Sequence, residues 1–268
     1  MLRDITIGQH FPGNSVVHRM DPRMKLLVTV LYIVVLFAAS NPLGLALSIG
    51  LLALLYVAAK IPLKLITKSL KPIMPVVLFT AILNLFFITG QGQPLFHWWF
   101  LKIYAEGVRY AVLMAVRVLA LIAGTSLLTY TTSPIVLTDA IEALLKPFAK
   151  LHLPVHELAM MMTIALRFIP TLLEETNRIM KAQTARGANF TSGSLIQRGK
   201  NMIPLLVPLF VSAFRRADDL ATAMEARCYR GGEGRTRMNE LTYTYRDGIA
   251  MGAVLIVTLV LAVMRWAV

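Results

Sequence analysis

Charge is scarce in this chain: 15% of its 268 residues are Asp, Glu, Lys or Arg, against about a quarter in soluble domains. With 57% hydrophobic residues and a mean hydropathy of +0.66, that shortage excludes an ordinary soluble globular fold. Cysteine is almost missing. Cys228 stands alone, which excludes an intramolecular disulfide and any CxxC metal site. Acids are few, 14 against 27 basic residues, for a net charge of +13. Such a balance can signal nucleic acid, but much of the positive charge lies in short segments beside apolar runs, where Lys and Arg set cytoplasmic orientation. No cleavable signal peptide is expected, because the first 25 residues are polar and the first apolar segment continues into a second.

What the chain does have is long uncharged runs. No charge falls in Leu26–Ala59, Pro72–Leu101, Val118–Thr138 or Gly248–Met264, and 17 or more apolar residues make a transmembrane helix candidate. Asp21-Pro22 predicts a helix start, with Asp21 as N-cap and proline at the first helical position. Ser40-Asn41-Pro42 breaks the first run into two spans, 23–39 and 43–59. Lys60–Lys71, with four lysines and no acid, reads as a cytoplasmic loop. A third span covers 72–89 and ends in the uncharged, outward-facing loop Thr89–Pro94, followed by His97-Trp98-Trp99, a pair suited to an interfacial aromatic belt. A fourth span, 106–129, contains Arg109 and Arg117; the second lies about 12 Å further along the helix. Arg117 either serves a function inside the bundle or simply bonds backbone carbonyls. The last span is 247–265.

From Ser133 to Asp247 the character changes, for 15 of the 27 basic and 11 of the 14 acidic residues lie here at helical spacing. Three helices are expected: Ser133-Pro134 to Lys150, Val155 to Arg186 with Arg167 and a kink at Pro170, and Lys200 to Arg227. Gly187–Gly199 reads as a polar loop, and Gly231–Glu240 as a mobile, glycine-rich basic connector. The stretch 158–173 is marginal for spanning and reads as a helix under the membrane surface or against a partner. The expected fold is therefore an all-α integral membrane protein, with about five transmembrane helices and a cytoplasmic platform of about three coupling helices. Its divisions are 1–132, 133–246 and 247–268, with the N-terminus and 133–246 cytoplasmic.

One short pattern occurs twice. Ala182-Gln183-Thr184-Ala185-Arg186-Gly187 returns 41 residues later as Ala223-Met224-Glu225-Ala226-Arg227-Cys228, and Ile179 and Leu220 align at the same offset. Each copy ends a helix-like run and is followed by glycine (Gly187; Gly231 and Gly232), a helix terminator. An arginine flanked by small residues at a helix tip can reach into a partner's groove, where its fork of donors suits carboxylates and exposed carbonyls. The plainer alternative is an arginine capping its own helix end.

Other motifs fail on spacing. Gly193–Asn201 has five residues between its glycines and asparagine after the lysine, whereas a phosphate-binding loop needs four and Ser or Thr. His152-Leu153-Pro154-Val155-His156-Glu157 is broken by proline, with its glutamate outside the histidine pair. Asn189-Phe190-Thr191 is a glycosylation sequon by pattern only. Cys228 beside Arg227 fits best as a small residue of the tip. The 14 methionines, Met160-Met161-Met162 among them, are core filler or a surface that re-packs against exchanged partners.

In order and spacing, Asp21-Pro22-Arg23-x-Lys25-Leu26, Pro134 through Asp139-Ala140, Leu153-Pro154-Val155, Ala165-Leu166-Arg167-Phe168-Ile169-Pro170 and the two Ala-Arg-Gly-type signatures resemble the transmembrane T component of energy-coupling factor transporters, the micronutrient importers of prokaryotes. The resemblance covers nearly the whole chain. It implies that Ala185-Arg186-Gly187 and Ala226-Arg227-Cys228 end two coupling helices, each arginine docking on one of two ABC-type ATPase subunits, with Cys228 where glycine is usual. It further implies a small membrane-embedded substrate-binding partner (the S component), and structural or coupling roles for Asp21, Arg23, Arg117, Arg167 and Pro170. ATP and magnesium would reside on the partners, so no catalytic residue, cofactor or metal is expected on this chain. Its setting would be the plasma membrane of a prokaryote, with the lipid bilayer and not nucleic acid as its surroundings. Two alternatives stand beside it. One is an integral membrane enzyme built on Arg109, Arg117, His97, His152 and His156; the other is a self-sufficient permease.

Overall fold

The computed structural model describes residues 10–39, 41–88, 96–98, 101–151, 154–190, 194–232 and 242–266. It is an all-α membrane fold, to which the described residues add one short β hairpin. The chain forms two compact units: one takes in the described residues up to Ala140 and those from 242 onward, the other those from Ile141 to 232.

The first unit begins with α1 (Pro22–Ala38), started as expected by Asp21, whose carboxylate accepts the Arg23 backbone N–H at 2.8 Å. Asn41 precedes α2 (Pro42–Ala59), so the Asn-Pro signal does divide the first apolar run. The basic segment after it is not a loop. Leu63–Leu70 is α3, joined through a 3-10 turn (Lys71–Ile73) to α4 (Met74–Phe87). The spacing of Lys64, Lys68 and Lys71 explains this: three and four residues apart, they share one helix face, where charge is compatible with helix. After α4 come β1 (Phe96–Trp98) and β2 (Leu101–Ile103), antiparallel with His97 opposite Lys102. The outward loop expected at 89–94 lies outside the described residues, as does Trp99.

The long α5 (Ala105–Thr131) is the centre of this unit and packs against α1, α2, α3 and α4. Up to Gly124 its buried residues are all small: Gly107, Ala111, Ala120, Ala123 and Gly124. Small residues let helices approach closely where no aqueous hydrophobic drive brings them together. A Cβ on Gly107 would stand 3.1 Å from the Leu85 carbonyl, and one on Gly124 would stand 2.5 Å from the Tyr32 ring. Tyr32, Leu36, Tyr56, Leu127 and Tyr130 fill the core. Two of the tyrosines donate to backbone carbonyls, Tyr56 to Ala123 at 2.7 Å and Tyr130 to Leu65 at 3.1 Å, which satisfies the polar end that burial would otherwise strand. The last helix, α9 (Tyr245–Trp266), packs on α1 and α2.

The first platform helix is shorter than expected: α6 (Pro134–Leu145) gives way to a 3-10 turn (Lys146–Leu151). In the second unit α7 (Val155–Ala185) packs against α8 (Leu195–Ala226). Pro170 lies inside α7 without ending it. α8 starts five residues earlier than the sequence suggested. Ser194 caps it, its hydroxyl accepting the Gln197 N–H at 3.4 Å, so Ser194-x-x-Gln197 is a capping-box start hidden in an apparently polar loop.

Four helical stretches among the described residues are long and apolar enough to cross a membrane: Pro42–Ala59, Leu63–Phe87, Ala105–Thr131 and Val155–Ala185. The set differs from the expected five. α1, at 17 residues, is at the short end for a span, while α7, whose stretch 158–173 reads in the sequence as a helix under the membrane surface or against a partner, qualifies by length and composition.

Candidate partner-docking tips and the anchored N-terminus

Both arginines of the repeated pattern are helix C-caps, and both helices end in the same way. At the first tip the Gly187 N–H reaches the Thr184 carbonyl at 3.0 Å and the Ala188 N–H reaches Gln183 at 2.9 Å; at the second, Cys228 reaches Glu225 at 2.9 Å and Tyr229 reaches Met224 at 3.0 Å. This crossed pair of bonds is the Schellman motif, which satisfies terminal carbonyls and needs a left-handed residue just after the cap. Gly187 supplies it with φ of +89°, and Cys228 with φ of +55°. The sequence assigned the second termination to Gly231 and Gly232. That is corrected: Cys228 itself turns the chain, and a residue with a Cβ accepts the strain. Arg186 and Arg227 are exposed, and neither side chain bonds to any described residue.

The relation between the tips comes from the pairing of α7 with α8. Asn201 donates to the Asn189 carbonyl at 2.6 Å, Arg216 pairs with Glu175 at 3.3 Å, and Met160 shares a cleft with Met224. As the number falls along α7 it rises along α8, so the two helices form an antiparallel hairpin. Glu175 and Arg216 are themselves 41 residues apart, the offset of the repeat, and each lies eleven residues before its arginine. Equivalent positions meeting in antiparallel helices define a local pseudo-two-fold axis. Each tip then lies about 16 Å from the ion pair in opposite directions, which puts the arginines on the order of 30–40 Å apart. The 41-residue offset in the sequence already contained this pair; only its antiparallel pairing was hidden.

In the other unit Asp21 and Arg23 belong to a buried polar cluster. Asp247, 1% exposed, accepts the Asp21 N–H at 2.8 Å through Oδ1 and the Thr244 N–H at 2.7 Å through Oδ2. One carboxylate thus serves the starts of α1 and α9 together, where the helix dipoles favour negative charge. Lys25, 6% exposed, donates to the carbonyls of His18 at 2.9 Å and Thr131 at 3.0 Å, and Asp247 and Asp21 are the charges that compensate it. The Arg23 guanidinium stacks over the Tyr243 ring at 5.5 Å. Sequence reasoning quoted Lys25 but missed Asp247; the available signal was the box Thr244-x-x-Asp247.

His18 is held in a turn beside this cluster. Its Nε2–H donates to the Phe11 carbonyl at 3.0 Å and its Nδ1 accepts from the Ser15 hydroxyl at 2.7 Å. Burial lowers its pKa from the ordinary 6.5, with the positive charge of Lys25 and the neighbouring His10 adding to the effect and the Phe11 bond opposing it.

The remaining sequence candidates are separate. Half-buried Arg117 donates to the Ala39 carbonyl at the end of α1, a backbone bond that satisfies a helix C-terminus. Arg109 is exposed on α5, and Arg167 and Pro170 are exposed on α7. His156 pairs with Glu142 at 3.1 Å, and His152 lies outside the described residues.

The sequence matches the model of a family described as "CbiQ: Cobalt transport protein" over residues 13–238. Three relatives carry the printed name "Energy-coupling factor transporter transmembrane protein EcfT". The one from Acidaminococcus fermentans is 54% identical over 268 residues, covering 100% of this chain and 99% of its own. The one from Clostridium kluyveri is 58% identical over 93% of each chain. The one from Bacillus subtilis is 47% identical over 99% of this chain and 100% of its own. The chain belongs to the family of energy-coupling factor transporter transmembrane proteins. As a member of that family, with four membrane-length apolar stretches among its described residues, it is a multi-pass membrane protein.

Proposed function

We propose that this chain is the coupling subunit of an ATP-driven importer of the energy-coupling factor type. In this reading Arg186 and Arg227 each dock on one of two ABC-type ATPase subunits, which carry the ATP and magnesium. Closure of the ATPases moves the α7–α8 hairpin, and the hairpin passes that motion to a small membrane-embedded substrate-binding protein for uptake of a vitamin or other micronutrient. Residues 133–246 and the N-terminus then face the cytoplasm, and the chain performs no catalysis of its own. The observation that carries the reading is the pseudo-two-fold hairpin. Two exposed arginines, in identical Schellman ends and related through the Glu175–Arg216 pair, match a target made of two similar subunits. A moving hairpin with two arrangements of different partner affinity is what such coupling requires.

The test is affinity purification of the tagged chain, gently solubilised from its native membrane. Two ATP-binding cassette proteins and at least one small hydrophobic protein are expected with it. Uptake in cells should be lost in Arg186→Glu or Arg227→Glu while membrane insertion persists. Wild-type uptake in the double variant, or a chain that purifies without partners, overturns the proposal.

A further inference from the structure

The lysines of α3 have no counter-charge in their own surroundings. Lys64 and Lys68 in the helix and Lys71 just after it are exposed, and none of them bonds to a described residue. α2 is uncharged, and α3, the 3-10 turn and α4 carry no acid. α5, on which α3 packs, has its acid Glu106 in its first turn. The contact with α3 is at the other end, where the Tyr130 hydroxyl reaches the Leu65 carbonyl, about 36 Å further along the helix.

The arrangement of these lysines is also fixed. Lys64, Thr67, Lys68 and Lys71 stand at i, i+3, i+4 and i+7, which places them in one stripe. Leu65 and Ile66 pack against the core beside buried Ile61, so the stripe is turned away from the bundle. Membrane orientation needs only that lysines lie on one side; it does not require a single helix face. Like charges four residues apart repel, and an external anion relieves that repulsion.

The stripe lies at the edge of a span. α3 and α4 form one helical stretch long and apolar enough to cross a membrane, Leu63–Phe87. Val77 is the one buried residue of α4, whereas Met74, Val76, Leu78 and Phe79 are exposed. A fitting ligand therefore joins a negative group to an apolar body. Nucleic acid or an acidic protein segment would answer only the charge.

We propose that the Lys64–Lys68–Lys71 face of α3 binds the phosphate of an anionic phospholipid, whose acyl chains lie along the exposed side of α4. Lysines beside a span attract anionic headgroups, and each strengthens binding by about fivefold, while their stems run along the apolar surface as the ammonium groups reach the headgroup. The site stands whether or not the proposed coupling function holds.

The experiment uses the full-length chain in neutral detergent, titrated with dioctanoyl phosphatidylglycerol or dioctanoyl phosphatidylcholine. Wild type should prefer the anionic lipid, and the preference should shrink as salt is raised from about 0.05 to about 0.5 M. Lys68→Gln should weaken phosphatidylglycerol binding about fivefold, and Lys64→Gln, Lys68→Gln and Lys71→Gln together on the order of a hundredfold. Phosphatidylcholine binding should not change, which also shows that the variants are folded. Replacing the same three lysines by arginine should keep the preference. Glycerol 3-phosphate should not displace the lipid at equal concentration; if it does, the site takes free phosphate and the lipid assignment fails. Equal binding of the two lipids by wild type, or an unchanged preference in Lys68→Gln and in the triple glutamine variant, would overturn the proposal.

Discussion

Asp247 and Asp21, 226 residues apart in sequence, are joined at 2.8 Å by a hydrogen bond from the backbone N–H of Asp21 to Oδ1 of Asp247. The other Asp247 oxygen holds Thr244, so one buried carboxylate fastens the first long helix to the last.

Removing that carboxylate strands the buried Asp21 N–H, frees the part-buried Thr244 N–H and leaves the Lys25 charge with less compensation. Asp247→Ala is expected to lower stability by about 3–5 kcal/mol, as loss of one partner of a buried charged network does. Asp247→Asn keeps one acceptor and should cost less. Thermal unfolding of the detergent-solubilised protein checks the order; an Asp247→Ala midpoint equal to wild type contradicts it.

Gly124 lies beneath the Tyr32 ring, where a Cβ would approach to 2.5 Å. Tyr32 is 2% exposed, and the cavity that it lines holds only about 40 Å³, so the ring can withdraw only in part. Gly124→Ala should therefore destabilise by about 1–3 kcal/mol through overpacking. Tyr32→Phe in the same background should not relieve the clash, whereas Tyr32→Leu should. Unfolding midpoints of the three variants decide between packing and a specific role for the hydroxyl.

Cys228 occupies the left-handed position that Gly187 fills at the other tip. Cys228→Gly should stabilise the end of α8 by roughly 0.5–1 kcal/mol, and Gly187→Ala should destabilise the end of α7 by about as much or more. Hydrogen exchange of the Cys228 and Tyr229 amides, or of the Gly187 and Ala188 amides, reports each directly. Opposite signs for the two substitutions are the expected result.

The environment of His18 gives the 10–20 turn a pH dependence. Because burial lowers its folded pKa below 6.5, the unfolded chain binds the proton more readily. The contribution of this group is fully present above pH 6.5 and is lost as pH falls toward the folded value. Protonation also removes the acceptor that Nδ1 offers to Ser15. The Phe11 amide, bonded to the Tyr130 carbonyl at 2.9 Å, should lose exchange protection between pH 7 and pH 5, after correction for intrinsic exchange, and His18→Gln should abolish that change. Constant protection in wild type refutes the role given to His18.

Much of the helical framework was legible because its signals are local. A proline after an N-cap acid starts α1, Asn-Pro divides α1 from α2, and uncharged runs mark α4, α5 and α9 within a few residues. Where the reading failed it relied on composition instead of spacing. Lys64, Lys68 and Lys71 suggested a loop by their number, although their separation is helical, and Ser194-x-x-Gln197 was passed over inside a segment that looked merely polar.

By itself, then, the sequence determined that the chain is a helical membrane protein and that two helices end in an arginine preceded by alanine. Capping, periodicity and apolar length act within a turn or along one helix, so they are written in consecutive residues. Only the tertiary structure decided which helix ends meet. It set Asp247 against Asp21 and paired Glu175 with Arg216, so that the repeat became an antiparallel, two-fold-like hairpin. Those outcomes depend on packing between distant segments, and nothing in the local chain specifies which buried donor a carboxylate will find.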